Sequence, residues 1–268
     1  LGAVNVALTV YLGFCWLWGV NYYVDGFQEK SGVYAQPVSV EDITAVTEYF
    51  VRGLRETADE VPRDEEGLFA VPREEILESS VRAYDAVEKD FPFLAFEDTP
   101  PKAVHFSRIM SLLDFTGIYC PYTGESNVNV DSPACLLPST AAHELAHQRG
   151  IASEQECNFL AILASTTCGQ EGYAYSGWLL GYIYLGNALA RADHDAWEQV
   201  WASLPEGVKA DLRNNNAYWK QFQDSTVQKA SNTVYDGFLK SYGEELGLQT
   251  YGTVTDLLVV WYAETAKG

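Results

Sequence analysis

Residues 143–147 read His-Glu-Leu-Ala-His, and this short element constrains the fold more than any other feature of the 268-residue chain. On an α-helix, positions i and i+4 lie one turn apart on one face, so the imidazoles of His143 and His147 can reach the same metal ion. Glu144 follows the first histidine and can point into the same cleft, where a carboxylate takes the proton of a water at the metal. Ala141, Ala142, Leu145 and Ala146 make the surrounding helix largely apolar, which predicts burial. The element therefore asks for a buried helix with one polar face on a cleft.

A catalytic zinc needs a third protein ligand and an open fourth position. Gly150 ends the motif helix and lets the chain turn back, after which Glu154 and Glu156 are the available carboxylates. Glu154 is favoured, because Asn158 sits four residues later on the same helical face and can hydrogen-bond a ligating imidazole. Ser153-x-x-Glu156 has the form of a capping box, which gives Glu156 a competing role and leaves it as the alternative ligand.

Composition sets the wider limits. Lys and Arg number 17 against 37 Asp and Glu, so 17 − 37 = −20, which excludes nucleic acid as an electrostatic partner. Hydrophobic residues at 47% exclude a disordered chain, and many aromatics beside a single Met predict a rigid interior. Leu1 to Val24 carries no charge and, at 1.5 Å per residue, is long enough to cross most of a roughly 30 Å hydrocarbon core. Its aromatic cluster, Trp16, Trp18, Tyr22 and Tyr23, lies where an interfacial belt would sit. Residues 1–24 are therefore expected to be a membrane-proximal or transmembrane helix, the end of a longer membrane region, with the lipid bilayer as partner. Asn5, Thr9 and the glycines keep a buried core helix followed by a strand as the alternative. No basic region precedes the apolar run, which argues against a signal peptide.

The rest, residues 25–268, has no internal repeat and no dividing linker, and reads as one mainly helical α+β domain. Ser39 opens a helix to about Ala58 with Ile43, Val46, Phe50 and Leu54 at helical spacing. Pro72 opens a second, with Ile76, Leu77, Val81 and Tyr84 as its stripe. From Ala103 to Val130, short apolar and alternating pieces predict a small sheet before the motif helix. Helices are expected at 139–149, 154–166, 175–192, 217–241 and 253–264. Cys120 and Cys135 bracket a turn-rich loop and leave a disulfide open, whereas Cys157 and Cys168 lie too far apart on one helix to bond and read as small apolar residues.

Two supporting features suit a peptidase. Asn127, Val128, Asn129 and Val130 can present an edge strand to an extended peptide, or be simply a sheet edge. Tyr173, Tyr175, Arg149 and His194 are candidate donors to a developing oxyanion. His194, between Asp193 and Asp195, reads more readily as solvated surface, and His105 as a satisfied residue of an apolar strand.

The HExxH element with Glu154 on the next helix resembles the gluzincin type of zinc metallopeptidase, although Glu-x-x-x-Asn departs from the commoner Glu-x-x-x-Asp. The string HELAHQRGIASEQECNFLAILA resembles an uncharacterised bacterial membrane-protein family, domain of unknown function 3810. Further similarity lies in LWGVNYY, FTGIYCPYTGESNVNVD, YDGFLKSYG and TYGTVTDLLVVWY, so the resemblance covers nearly the whole chain. Cys157 stands where that family usually has Ala, which affects local packing and leaves the proposed ligands intact. The resemblance implies a zincin-like domain with bound Zn2+ outside the bacterial membrane, attached to upstream transmembrane helices, and brings no established substrate. The expectation is a membrane-anchored zinc metallopeptidase that hydrolyses peptide bonds with a zinc-activated water. A catalytically silent zincin-fold binding or scaffold module and an amide hydrolase of cell-wall peptide are the alternatives; an intact Glu144 argues against the silent one.

Overall fold

A computed structural model describes residues 2–223, 228–229, 232–233 and 251–268. Helix α1 (Gly2–Leu17) runs into a 3-10 turn (Gly19–Tyr23), followed by α2 (Phe27–Ser31) and α3 (Val40–Thr57). The short helices α4 (Arg73–Ser79) and α5 (Val87–Asp90) precede β1 (Lys102–Ala103), α6 (Ser107–Leu112), β2 (Gly117–Cys120) and β3 (Glu125–Val128). Then come α7 (Leu137–Gln148), α8 (Glu154–Thr167), α9 (Glu171–Ala192), α10 (His194–Ala202), α11 (Glu206–Lys220) and α12 (Tyr251–Lys267). This is the mainly helical α+β architecture that the sequence predicts.

The core forms where α9 packs against α3, α7 and α8. Helix α3 starts as its capping residue dictates, with Ser39 Oγ accepting from the Asp42 amide at 3.1 Å. Its predicted stripe, Ile43, Val46, Phe50 and Leu54, is buried. Close approach of α3 and α9 depends on two missing side chains. A β-carbon at Gly181 would strike the Phe50 ring at 2.0 Å, and one at Gly53 would strike the Trp178 ring at 2.4 Å. The two rings meet edge to face at 4.9 Å, and removing a Phe from such a position costs about 3–5 kcal/mol.

Elsewhere the outcome differs from the sequence expectation in identifiable ways. Helix α10 was not predicted; Asp193, read as surface charge, caps it by accepting from the Ala196 amide at 3.0 Å. Helix α11 begins well before Ala217, and beyond Gln223 the expected 217–241 helix lies largely outside the described residues. Cys120 and Cys135 are free thiols, and burial pushes the Cys135 thiol up to about 12. His105 is exposed outside any strand, against the Phe106 ring.

No residue of α1 is buried, so it is not a core helix, and a 3-10 turn rather than a strand follows it. No helix among the described residues is long and apolar enough to cross a membrane.

The three strands run in the order β1-β3-β2, with β1 parallel and β2 antiparallel to β3. Asn127 and Val128 face Lys102 and Ala103 on one side and Ile118 and Gly117 on the other. The Asn129 amide is taken by the Thr116 carbonyl at 2.8 Å, and the Val130 amide by Ser107 Oγ at 3.0 Å. Asn127 and Val128 therefore lie in the central strand, and Asn129 and Val130, just beyond it, have their amides taken, so residues 127–130 are not a free edge. The alternation of Asn and Val reported a strand and could not report its neighbours.

Candidate metal centre

Gly150, at φ +81°, closes α7 in the left-handed conformation, its amide bonding the His147 carbonyl at 2.9 Å. The chain reverses within a few residues, and α8 packs back along α7. That reversal places Glu154, the first residue of α8, against the last turns of α7. Glu154 Oε2 lies 3.2 Å from His143 Nε2, and Oε1 lies 3.7 Å from His147 Nε2.

The other ring nitrogens fix the tautomers. His147 Nδ1 lies 2.8 Å from the Ile151 carbonyl, which can only accept, so Nδ1 carries the proton and Nε2 offers a lone pair. His143 Nδ1 donates in the same sense to Asn158 Oδ1 at 3.1 Å. Asn158 thus sits where the four-residue spacing from Glu154 predicts. Burial lowers the pKa of His147; for His143 burial acts the same way, but the hydrogen bond and charge of Glu154 outweigh it. The Glu154 carboxylate facing the two Nε2 atoms favours a positive charge, proton or cation, between them. Two imidazole nitrogens and one carboxylate oxygen are a donor set that suits a divalent metal ion.

Cys157 adds a second possibility for a metal. Its sulfur and one nitrogen from each of His143 and His147 lie within 4.8 Å of one another. The thiol, however, sits 3.4 Å from His147 Nδ1 and 3.5 Å from the Ile151 carbonyl, on the edge of the ring opposite Nε2. To share an ion with Cys157, His147 would have to give up its bond to Ile151.

Glu144 is buried, and its Oε2 has no hydrogen-bond partner among the described residues. An orphaned carboxylate oxygen is costly, and burial pushes the Glu144 carboxyl up to about 8. The group lies under β2, where Gly117 admits it: a β-carbon at Gly117 would stand 2.3 Å from Glu144 Oε1. A glycine inside the strand-like FTGIY segment is the sequence sign of such a close approach. Ser126 Oγ in β3 donates to the Glu144 carbonyl at 2.9 Å, and Gln148 Nε2 donates to Ser126 Oγ at 3.0 Å, which ties the sheet to α7.

A cavity of about 490 Å³ opens over these groups. Its walls include Phe14, Trp18 and Tyr22 from the N-terminal segment, Ile118 from β2, and Leu180 and Tyr184 from α9. Asp114, Glu144 and Glu154 line it, with no Lys or Arg among the described lining residues. Trp18 packs edge to face on the His147 ring at 5.5 Å. The sequence marked Trp18 only as a belt residue and gave no sign that it reaches the histidines.

The remaining candidates lie elsewhere. Glu156 is turned away from the histidines and accepts from the Phe27 and Gln28 amides at 2.8 and 3.0 Å, and Ser153 makes no side-chain cap. Those two amides, orphaned at the start of α2, replace the expected local capping box. Tyr173 donates its hydroxyl to the Ile76 carbonyl at 2.8 Å, and Tyr175 donates to Asp211. Arg149 is buried over the Tyr84 ring at 3.8 Å and paired with Glu88 at 2.8 Å and Asp98 at 2.7 Å. None of these three lines the cavity, because each is consumed in the packing of the core. His194 is exposed and stacks on Trp197.

Fold and site together define an α+β protein in which two consecutive helices converge on a candidate metal centre beside a buried carboxylate. The chain belongs to the DUF3810 family, described as proteins of unknown function, whose family model matches residues 1–259. No curated protein and no solved structure matches it.

Proposed function

We propose that the chain is a membrane-associated zinc peptidase in which His143, His147 and Glu154 hold the ion and Glu144 moves protons. The observation that carries this reading is the convergence of the His143 and His147 Nε2 lone pairs on the Glu154 carboxylate, with the orphaned Glu144 oxygen buried beside them. A zinc ion in this donor set supplies Lewis-acid polarisation of the scissile carbonyl and a more acidic water. Glu144 accepts the proton of the attacking water and passes it to the leaving amine. Asn158 and the Ile151 carbonyl orient the two imidazoles through Nδ1. With β3 paired on both sides, the strand that borders the cavity and has an unpaired side among the described residues is β2, and it is the one an extended peptide would join. Asp114 on the cavity wall, with no Lys or Arg among the described lining residues, favours neutral or basic peptides over acidic ones. The uncharged N-terminal segment supplies contact with the bilayer.

Metal content measured on protein purified without added metal or chelator tests the ligand set. About one zinc per chain is expected in the wild type, in Glu144→Gln and in Cys157→Ala, and is expected to be lost in Glu154→Ala. Loss in Cys157→Ala with retention in Glu154→Ala would move the centre to the thiol. Glu144→Gln should keep the ion and lower peptide turnover by about 10²–10⁴-fold; undiminished turnover would remove Glu144 from the chemistry.

A further inference from the structure

The helix that supplies part of the cavity wall is also the one helix with no buried residue among those described. Val4, Leu8, Val10, Tyr11, Leu12 and Trp16 of α1 are each more than half exposed. At 100° per residue these positions, joined by the similarly exposed Val6 and Leu17, are spread around the circumference with no gap wider than about 100°, not along one stripe. A helix that is apolar all round belongs in a core or in lipid, and α1 is not in the core. A protein partner or a second copy would cover one side, whereas hydrocarbon covers all of them. The hydroxyl of Thr9 is satisfied within the helix, donating to the Asn5 carbonyl at 2.9 Å, as a hydroxyl in lipid has to be. Trp16 and Tyr23, both over three-quarters exposed, mark the C-terminal end at the depth where aromatic side chains sit between hydrocarbon and water.

That same end is built into the site. Phe14, Trp18 and Tyr22 line the cavity, and Trp18 touches His147. Tyr122, beyond β2, donates to the Val10 carbonyl, and its ring packs against Gly13. Tyr122, beside α1, and Ile118, on the cavity wall, are both about half exposed. The exposed apolar surface of α1 therefore continues into the cavity wall through Phe14, Trp18 and Tyr22.

From this continuity we infer that the substrate is a polypeptide held at the bilayer surface by its own anchor and cut close to that anchor. The inference rests on the peptidase reading above. A chain emerging from lipid meets the cavity at the level of Trp18, along an apolar path, while a freely diffusing peptide gains nothing from that path.

The test uses the full chain bound to phosphatidylcholine vesicles and two palmitoylated decapeptide libraries of identical neutral and basic composition. One carries the acyl chain directly; the other carries it through a Gly/Ser spacer of about 20 residues, whose ends lie roughly 25 Å apart. Because both libraries share the same surface concentration, only distance from the anchor differs. Cleavage of the directly anchored library at least tenfold faster is the expected result. Equal rates would overturn the inference and leave the peptidase reading standing, whereas cleavage of neither library would overturn the peptidase reading and the inference with it. Vesicles of brominated phosphatidylcholine give a readout without turnover: quenching of tryptophan fluorescence that diminishes in Trp16→Phe is expected. Absence of quenching, or self-association of α1 in place of vesicle binding, would overturn the placement of α1 in lipid. Leu8→Arg should abolish vesicle binding and the preference for the directly anchored library.

Discussion

Gly117 sets how close β2 can come to the carboxylate of Glu144. The strand cannot withdraw, because its length is paired with β3, so a methyl group there must push the carboxylate aside. Gly117→Ala is expected to keep zinc and lower turnover by about 10²-fold or more, because a displacement of the order of 1 Å is enough for that. Metal analysis and kinetics on the same preparation check it, and full activity with full metal content would show that the carboxylate tolerates the shift. The two histidines and Glu144 were legible from spacing alone, since helical periodicity is a local property. The role of Gly117 was not, because it exists only through the register of a strand distant in sequence. Tyr173, Tyr175 and Arg149 failed as oxyanion donors for the related reason that a polar side chain near a motif in sequence can be spent entirely on the core.

Helix α8 sends the two carboxylates of its first turn to different places, Glu154 to the histidines of α7 and Glu156 to the exposed amides of α2. Sequence favoured Glu154 through Asn158, and the geometry of the pair follows that argument. The competing role assigned to Glu156 was right in kind, a helix N-terminus, and wrong in address, since the donors belong to α2. Glu156→Ala should leave the zinc content intact and destabilise the protein by about 1–3 kcal/mol, because the buried Phe27 amide loses its acceptor. Urea denaturation beside elemental analysis separates the two effects, and loss of the ion would return Glu156 to the ligand set. The central position of β3 is an error of the same scale. A period of two identifies a strand, while pairing partners come from elements elsewhere in the chain.

At the scale of the molecule, the helical α+β class, the sheet ahead of the motif helix and the course of α3, α7, α8 and α9 were readable, because apolar periodicity and caps coincide there. Helix α10 and the start of α11 were not, since their amphipathic stripes are short and begin among charged residues. An ion held as proposed between α7 and α8 would stabilise the whole fold by mass action, by about 2.7 kcal/mol at a hundredfold excess over Kd. Chelation should therefore lower Tm by several degrees in the wild type and leave Glu154→Ala unmoved, as calorimetry would record. An unchanged wild-type Tm would separate the ion from the stability of the fold. The α7–α8 reversal also has a consequence for the order of assembly. Its three proposed ligands are neighbours along the chain, so the hairpin that holds them is a low-contact-order unit that forms early. Gly117 and Trp18 arrive by long-range closure and come later. A nascent chain would thus complete its candidate metal centre before its cleft, and the proposed peptidase activity would appear only when folding is complete.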